Sequence, residues 1–237
     1  MGIQDVIGRV PFFGGSAADD TVEGKWKIIC DEKVFSDGVA VAFFYTANDI
    51  VTEYTGAYRE TKNMGIVTEV NDDRNLVSID GVKALKKYGE WIGKSVNDLR
   101  GTNLLVESIC KPLGVKDQVG NLTVIRMVGN TNDTMNLGNK LVPGTTVIQM
   151  EATVDELINS TGDTLKRVRK ELTTEPGAYF LVHCGGRKLG IGNRLEEVHK
   201  QLVKEAKGVP FICIFTFGEY GYREHSANTC GGLMLSF

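Results

Sequence analysis

Apolar residues recur along this chain with two different spacings. From Lys25 to Cys30 they alternate with polar ones, with Trp26, Ile28 and Cys30 on one side, which predicts a short strand. Gly38 to Phe44 is a nearly unbroken apolar run and predicts a strand covered on both faces. Met64–Val70 and Leu76–Ile79 flank the polar stretch Asn71–Asn75, which predicts a hairpin with a five-residue loop. Leu104–Ile109, Leu122–Val128 and Thr145–Met150 read as further strands. Between these runs the spacing changes. Over Val82–Ile92, residues Ala84, Leu85, Tyr88, Trp91 and Ile92 share one side of a helix that Asp80 is placed to cap.

A second helix is announced by Thr153-Val-Asp-Glu156, in which each end of the box satisfies the other's free amide. Val154, Leu157, Ile158, Leu165, Val168 and Leu172 form its apolar stripe, and Lys166, Arg167, Arg169 and Lys170 suit its carboxyl-terminal dipole. Beyond it come a strand at Ala178–Cys184 and a glycine-rich connecting loop at Gly185–Gly192. A capping signature at Asn193–Glu196 then opens a helix that stops at Gly208, before Pro210. Strands are predicted at Phe211–Phe217 and Leu233–Phe237. The predicted class is α/β in the mixed α+β sense, with sheets flanked by helices and a C-terminal strand–loop–helix–strand unit. A soft boundary separates a β-rich region, 1–95, from an α/β region, 96–237.

Composition narrows the function. The 237 residues are 42% hydrophobic and 24% charged, which is ordinary for a globular protein. A net charge of −3 argues against a nucleic-acid partner. Five cysteines with no C-x-x-C argue against a disulfide framework or zinc ribbon and for a reducing, cytoplasmic compartment. No apolar run reaches membrane-spanning length, and no charged start with an apolar block marks a signal peptide, so no membrane partner is expected.

Three places carry candidate chemistry. In the loop after the Ala178–Cys184 strand, Gly185 and Gly186 allow close backbone approach, and Arg187 and Lys188 add charge for a carboxylate or phosphate. Its spacing is neither G-x-G-x-x-G nor a P-loop. His183-Cys184 invites a nucleophile reading, but neighbours on a strand point to opposite faces, so Cys184 would need His225 as its base. The third segment, Gly218–Thr229, follows a strand end and offers Glu219, Tyr220, Tyr222 and Asn228. Together these predict a site for an amino-acid-like ligand, with Arg187 on its carboxylate, Glu219 on its ammonium group, and Cys184, Tyr220 and Asn228 around them. An Arg187–Glu219 salt bridge tying the loops together is the competing reading. His183, His199 and His225 lack paired metal-ligand spacing, so no metal is expected; His199 is expected to pack half-buried on its helix.

The residues of this C-terminal part resemble the FIST sensory domain. The resemblance rests on Tyr179-Phe-Leu-Val-His-Cys184-Gly-Gly-Arg187, on Phe211–Phe217 with Gly218-Glu219, and on Asn228-Thr229. Upstream, Asn63–Thr68, Leu76–Gly81 and Pro143–Val147 fit in order, and Pro11–Asp20 is similar to the end of the family's N-terminal half. The resemblance thus covers the C-terminal half plus the end of the N-terminal half of a longer domain, and the abrupt start is expected of a cut chain. Phe211-Ile-Cys-Ile departs from the family's Gly-Phe. The resemblance implies a bacterial-type signal-transduction input domain that binds small molecules such as amino acids, and not an enzyme. It implies output partners such as a histidine kinase, a chemotaxis receptor or a cyclic-dinucleotide enzyme. Some members bind haem and respond to nitric oxide, which would make His183 or His225 an iron ligand. A Cys184-dependent hydrolase or transferase and a ligand-free interaction scaffold are the remaining alternatives.

Overall fold

The computed structural model describes residues 6–8, 10, 12–21, 23–47, 49–116, 122–125, 127–223, 226–229 and 233–236. The amino-terminal region supplies short strands β1 (Phe13–Gly15), β2 (Ile28–Cys30), β3 (Lys33–Phe35) and β4 (Thr52–Thr55). A long β5 (Arg59–Asn71) turns into β6 (Asn75–Ile79) and β7 (Val82–Lys83). Helices α1 (Ala84–Ile92), α2 (Val96–Leu99) and α3 (Leu104–Cys110) follow. Strands β8 (Leu113–Lys116), β9 (Leu122–Ile125), β10 (Met127–Thr131), β11 (Thr134–Leu137) and β12 (Thr146–Glu151) lead to the long helix α4 (Val154–Glu171). The chain closes with β13 (Tyr179–Cys184), α5 (Gly185–Ile191), α6 (Leu195–Ala206), β14 (Phe211–Thr216), β15 (Glu219–Arg223), β16 (Ser226–Thr229) and β17 (Leu233–Ser236). The fold is mixed α+β, as the patterning predicts.

Local chemistry sets the hairpins. Asp31-Glu32, Asp72-Asp73 and Asn132-Asp133 all take left-handed φ values between 49° and 66°, which Asp and Asn tolerate better than most residues. At Asp72-Asp73 this tight turn shortens the expected five-residue loop to three and lengthens both strands, so that Asn71 pairs with Asn75.

An antiparallel sheet runs β10-β11-β6-β5-β12-β8-β9, with β7 on β6. Each of the seven strands on that path sends a residue into one apolar cluster, among them Val67, Leu76, Leu113, Ile125, Met127, Met135 and Val147. The sheet therefore curves around this core, which Leu85 and Tyr88 of α1 and Leu99 of α2 complete. Because side chains alternate along a strand, β12 serves two cores: Val147 enters the first, while Ile148 and Met150 enter a second. That second core lies between α4, α6 and a sheet ordered β14-β13-β17-β4. Leu157, Leu165, Val198 and Leu202 meet Tyr179 and Leu181 there. Strands β13 and β14 run parallel, with Cys184 beside Thr216 at their ends. A third sheet, β1-β15-β16, packs through β15 against β4 and β17.

The structure corrects several expectations. Leu104–Ile109 is helix, not strand: the Asn103 side chain accepts from the Leu105 amide, and Leu104, Ser108 and Ile109 are buried at helical spacing. A short apolar run does not reveal its period. Gly185–Gly192 is not a loop, since α5 follows β13 directly. Asn193 caps nothing; a 3₁₀ turn over Gly192–Arg194 leads into α6, where Arg194 pairs with Glu197 and Asp155. The helix expected from Val82 begins at Ala84, because Val82 and Lys83 pair with β6. The strand expected over Lys25–Cys30 covers only Ile28–Cys30. His199 is exposed, its ring tilted against Phe211. Gly38–Phe44 is neither a strand nor buried; it has no regular structure and is exposed. A strand-forming sequence needs a partner edge, and among the described residues none lies beside it.

Candidate functional site

The ends of β13 and β14 bring the candidate motifs together. Cys184 and Thr216 are register partners, and each is followed three residues later by a charged residue, Arg187 in α5 and Glu219 at the start of β15. Both charged side chains are fully buried. Arg187 Nη2 donates to the Leu157 carbonyl at 2.5 Å and to Ser160 Oγ at 2.5 Å, which docks α5 on α4. Glu219 accepts a 2.8 Å hydrogen bond from Thr216 Oγ1.

The Pro11–Asp20 segment completes this end of the molecule. Gly15 pairs with Glu219, and Gly14 with Tyr220. The Ser16 amide donates to the Gly218 carbonyl at 2.8 Å, and Ser16 Oγ hydrogen-bonds the Tyr220 hydroxyl. Only glycine fits at 15: a Cβ there would lie 2.4 Å from Thr216 Cγ2. At Gly185 a Cβ would press on the Thr216 carbonyl at 3.0 Å, so the first glycine of the motif permits α5 to start against β14. Gly186 is half-buried beside it. Asn228 lies on β16 opposite Gly221, two residues from Glu219 along the ribbon; its side chain, and all of His225, lie outside the described residues.

His183 is the member of this cluster whose role the sequence did not announce. It is fully buried, 5.1 Å from the Phe215 ring. Its Nδ1 lies 3.0 Å from the Cys184 carbonyl, which can only accept, so Nδ1 carries the proton. Nε2 is then a bare acceptor, buried without a hydrogen-bond partner among the described residues. Burial, reinforced by the nearby Arg187 charge, lowers the imidazole pKa to about 3. Cys184 is buried too, on the opposite face of the strand by alternation. Burial pushes the Cys213 thiol up to about 11. The His183 ring, an iron ligand in the haem alternative, is enclosed against Phe215.

Elsewhere an open concavity is lined by Thr68, Glu69, Val77, Ser78, Gly81 and Lys83. It lies on the outer face of β5–β7 and would leave most of a small ligand in water, unlike a specific pocket. Among the described residues no cluster of three His, Cys, Asp or Glu side chains could hold a metal, and no helix is long and apolar enough to cross a membrane.

Comparison with known families decides the affiliation. The FIST N domain model matches residues 1–82 and the FIST C domain model matches residues 84–222. The chain belongs to the FIST family. FIST domains are signal-transduction sensory domains that bind small ligands and pass the signal to output domains. No curated protein and no solved structure matches the chain. Both matched regions contribute to this end of the molecule: Gly15 and Ser16 fall in the first, and the buried His183, Arg187, Thr216 and Glu219 in the second.

Proposed function

We propose that this FIST chain senses a small amino-acid-like carboxylate at the ends of β13 and β14. The observation that carries the reading is the sealed Nε2 of His183 beside Arg187. A buried polar atom without a partner costs about 1–3 kcal/mol, so such atoms are few in native proteins. A ligand N–H or O–H donor would satisfy it. In this reading Arg187 receives the carboxylate and Glu219 the ammonium group. Gly185 and Gly186 allow close approach, and Cys184, Tyr220 and Asn228 complete the surroundings. In this reading the arrangement with Arg187 on Leu157 and Ser160 is the closed one. Ligand binding draws Arg187 away from Leu157 and Ser160, and α4 responds; the ligand selects the arrangement it binds better. The reading is a receptor and not a catalyst, since Cys184, the candidate nucleophile, is buried.

Calorimetry and thermal shift against the twenty amino acids, acetate and succinate test it. For a binder so found, Arg187→Ala weakens affinity at least tenfold, the loss of a charge-assisted hydrogen-bond pair. A change within twofold removes Arg187 from the site.

A further inference from the structure

His183 is sealed, yet it lies only one strand in from a sheet edge. Among the described residues β14 ends the order β14-β13-β17-β4. Two strands therefore stand beyond β13 on one side, and β14 alone on the other. His183 and Phe215 are register partners, so their side chains share a face. Their rings stand 5.1 Å apart, about one strand spacing. His183 is fully buried, whereas Phe215, on the edge strand, is only half-buried. On this side one phenyl ring stands between water and the imidazole.

Lys188, the second cation of the Gly185–Gly192 segment, does not join the buried cluster; it stays at the surface. Its Nζ lies over the Phe215 ring, 5.4 Å from the centroid, within the range of a cation–π contact. Nζ also lies 3.7 Å from Asp20 Oδ1. Asp20 sits four residues past Ser16, whose carbonyl accepts from the Phe217 amide at 3.2 Å. Three segments far apart in sequence thus meet at one ring. These contacts are weak. The Asp20 side chain is 97% exposed, and an exposed ion pair contributes little. A lightly held ring in front of a buried nitrogen that lacks a partner among the described residues suits a movable part more than a core contact.

We propose that Phe215 is the gate to His183 and that Lys188 is its latch. With Lys188 over the ring the way in is shut. When Lys188 leaves, the ring turns towards solvent and Nε2 comes within reach. A carboxylate arriving from water meets Lys188 before the buried Arg187 and competes with Asp20 for it, so an anionic ligand itself releases the latch. The gate deepens the receptor reading and rests on it for its purpose. Its test contains no ligand, so it can fail while the receptor reading stands, and the binding screen above can fail while the gate stands.

Diethyl pyrocarbonate acylates unprotonated imidazole nitrogen and probes the gate in the full chain near neutral pH. Nδ1 of His183 carries the proton, so Nε2 is the reacting atom. Exposed His199 is the reference for the reagent. Cys184, buried on the opposite face of β13, reports general loosening through its alkylation by iodoacetamide. Where opening and closing are fast, the modification rate follows the open population. In the wild type His183 should react far more slowly than His199. Lys188→Ala should speed the reaction of His183 about two- to fivefold, the equivalent of one exposed cation–π contact, and leave Cys184 unchanged. Lys188→Arg keeps a cation over the ring and should react at the wild-type rate. Four results would each overturn the gate: a wild-type His183 as reactive as His199, no acceleration in Lys188→Ala, an equal rise at Cys184, which would make Lys188 a general support of the fold, or a Lys188→Arg variant as open as Lys188→Ala.

Discussion

His183 keeps its proton on Nδ1 because Nδ1–H donates to the Cys184 carbonyl, and burial keeps Nε2 bare. The imidazole pKa falls from 6.5 to about 3, first through loss of solvation and then through the Arg187 charge. In the unfolded chain the ring protonates as pH drops below 6.5, while in the folded chain it does not. Its effect on stability is therefore favourable above pH 6.5 and is lost progressively as pH falls towards 3. His183→Leu removes the proton uptake. Urea unfolding from pH 7 to pH 4 should show the wild type losing stability faster than the variant, with the gap changing by about 1 kcal/mol per pH unit in mid-range. A gap constant with pH would mean that the ring is not held neutral. The same residue bears on sensing, since a ligand donor to Nε2 would raise stability most where the bare atom is most costly.

Helix α5 is short, and it holds its position through close approach to its neighbours. Gly190 packs on α3: a Cβ there would lie 2.1 Å from Ile109 Cγ2. Arg187 ties the other side of α5 to α4. Gly190→Ala should therefore destabilise by about 1–3 kcal/mol through overpacking, despite alanine's helix preference of about 1 kcal/mol. Ile109→Ala should absorb the added methyl, so the double variant costs less than the sum of the singles. Additive losses in chemical denaturation would rule out the Gly190–Ile109 contact as the cause. A shift of α5 also moves Arg187, so Gly190→Ala is expected to weaken any ligand that Arg187 holds.

The two matched regions of the family do not fold side by side; they share sheets. β5 and β6, from the first, sit between β11 and β12 of the second, and β4 closes the sheet through β17. Removing residues 1–83 would strip the centre of one sheet and an edge strand, β4 or β1, from each of two others. Residues 84–237 alone should lack a cooperative unfolding transition and near-ultraviolet dichroism, whereas the full chain should unfold in one transition by both probes. A fragment that unfolds cooperatively would show that the C-terminal region has a core of its own.

Helix α4 was legible in the chain because everything that starts it is local: the Thr153–Glu156 box forms as written, and the apolar stripe faces the core. Strands β13 and β14 were legible for the same reason, as was the position of Arg187 and Glu219 just beyond their ends. Family membership was legible from short motifs kept in order. Gly38–Phe44 has the composition of a core strand and lies in water, because burial depends on a partner edge that composition does not encode. Leu104–Ile109 became helix because the Asn103 cap and its neighbours favoured that period. The burial of Arg187 and the bare Nε2 of His183 arose where α5 closes over the strand ends. They depend on contacts between residues as far apart in sequence as Leu157 and Arg187, and no local pattern records such contacts.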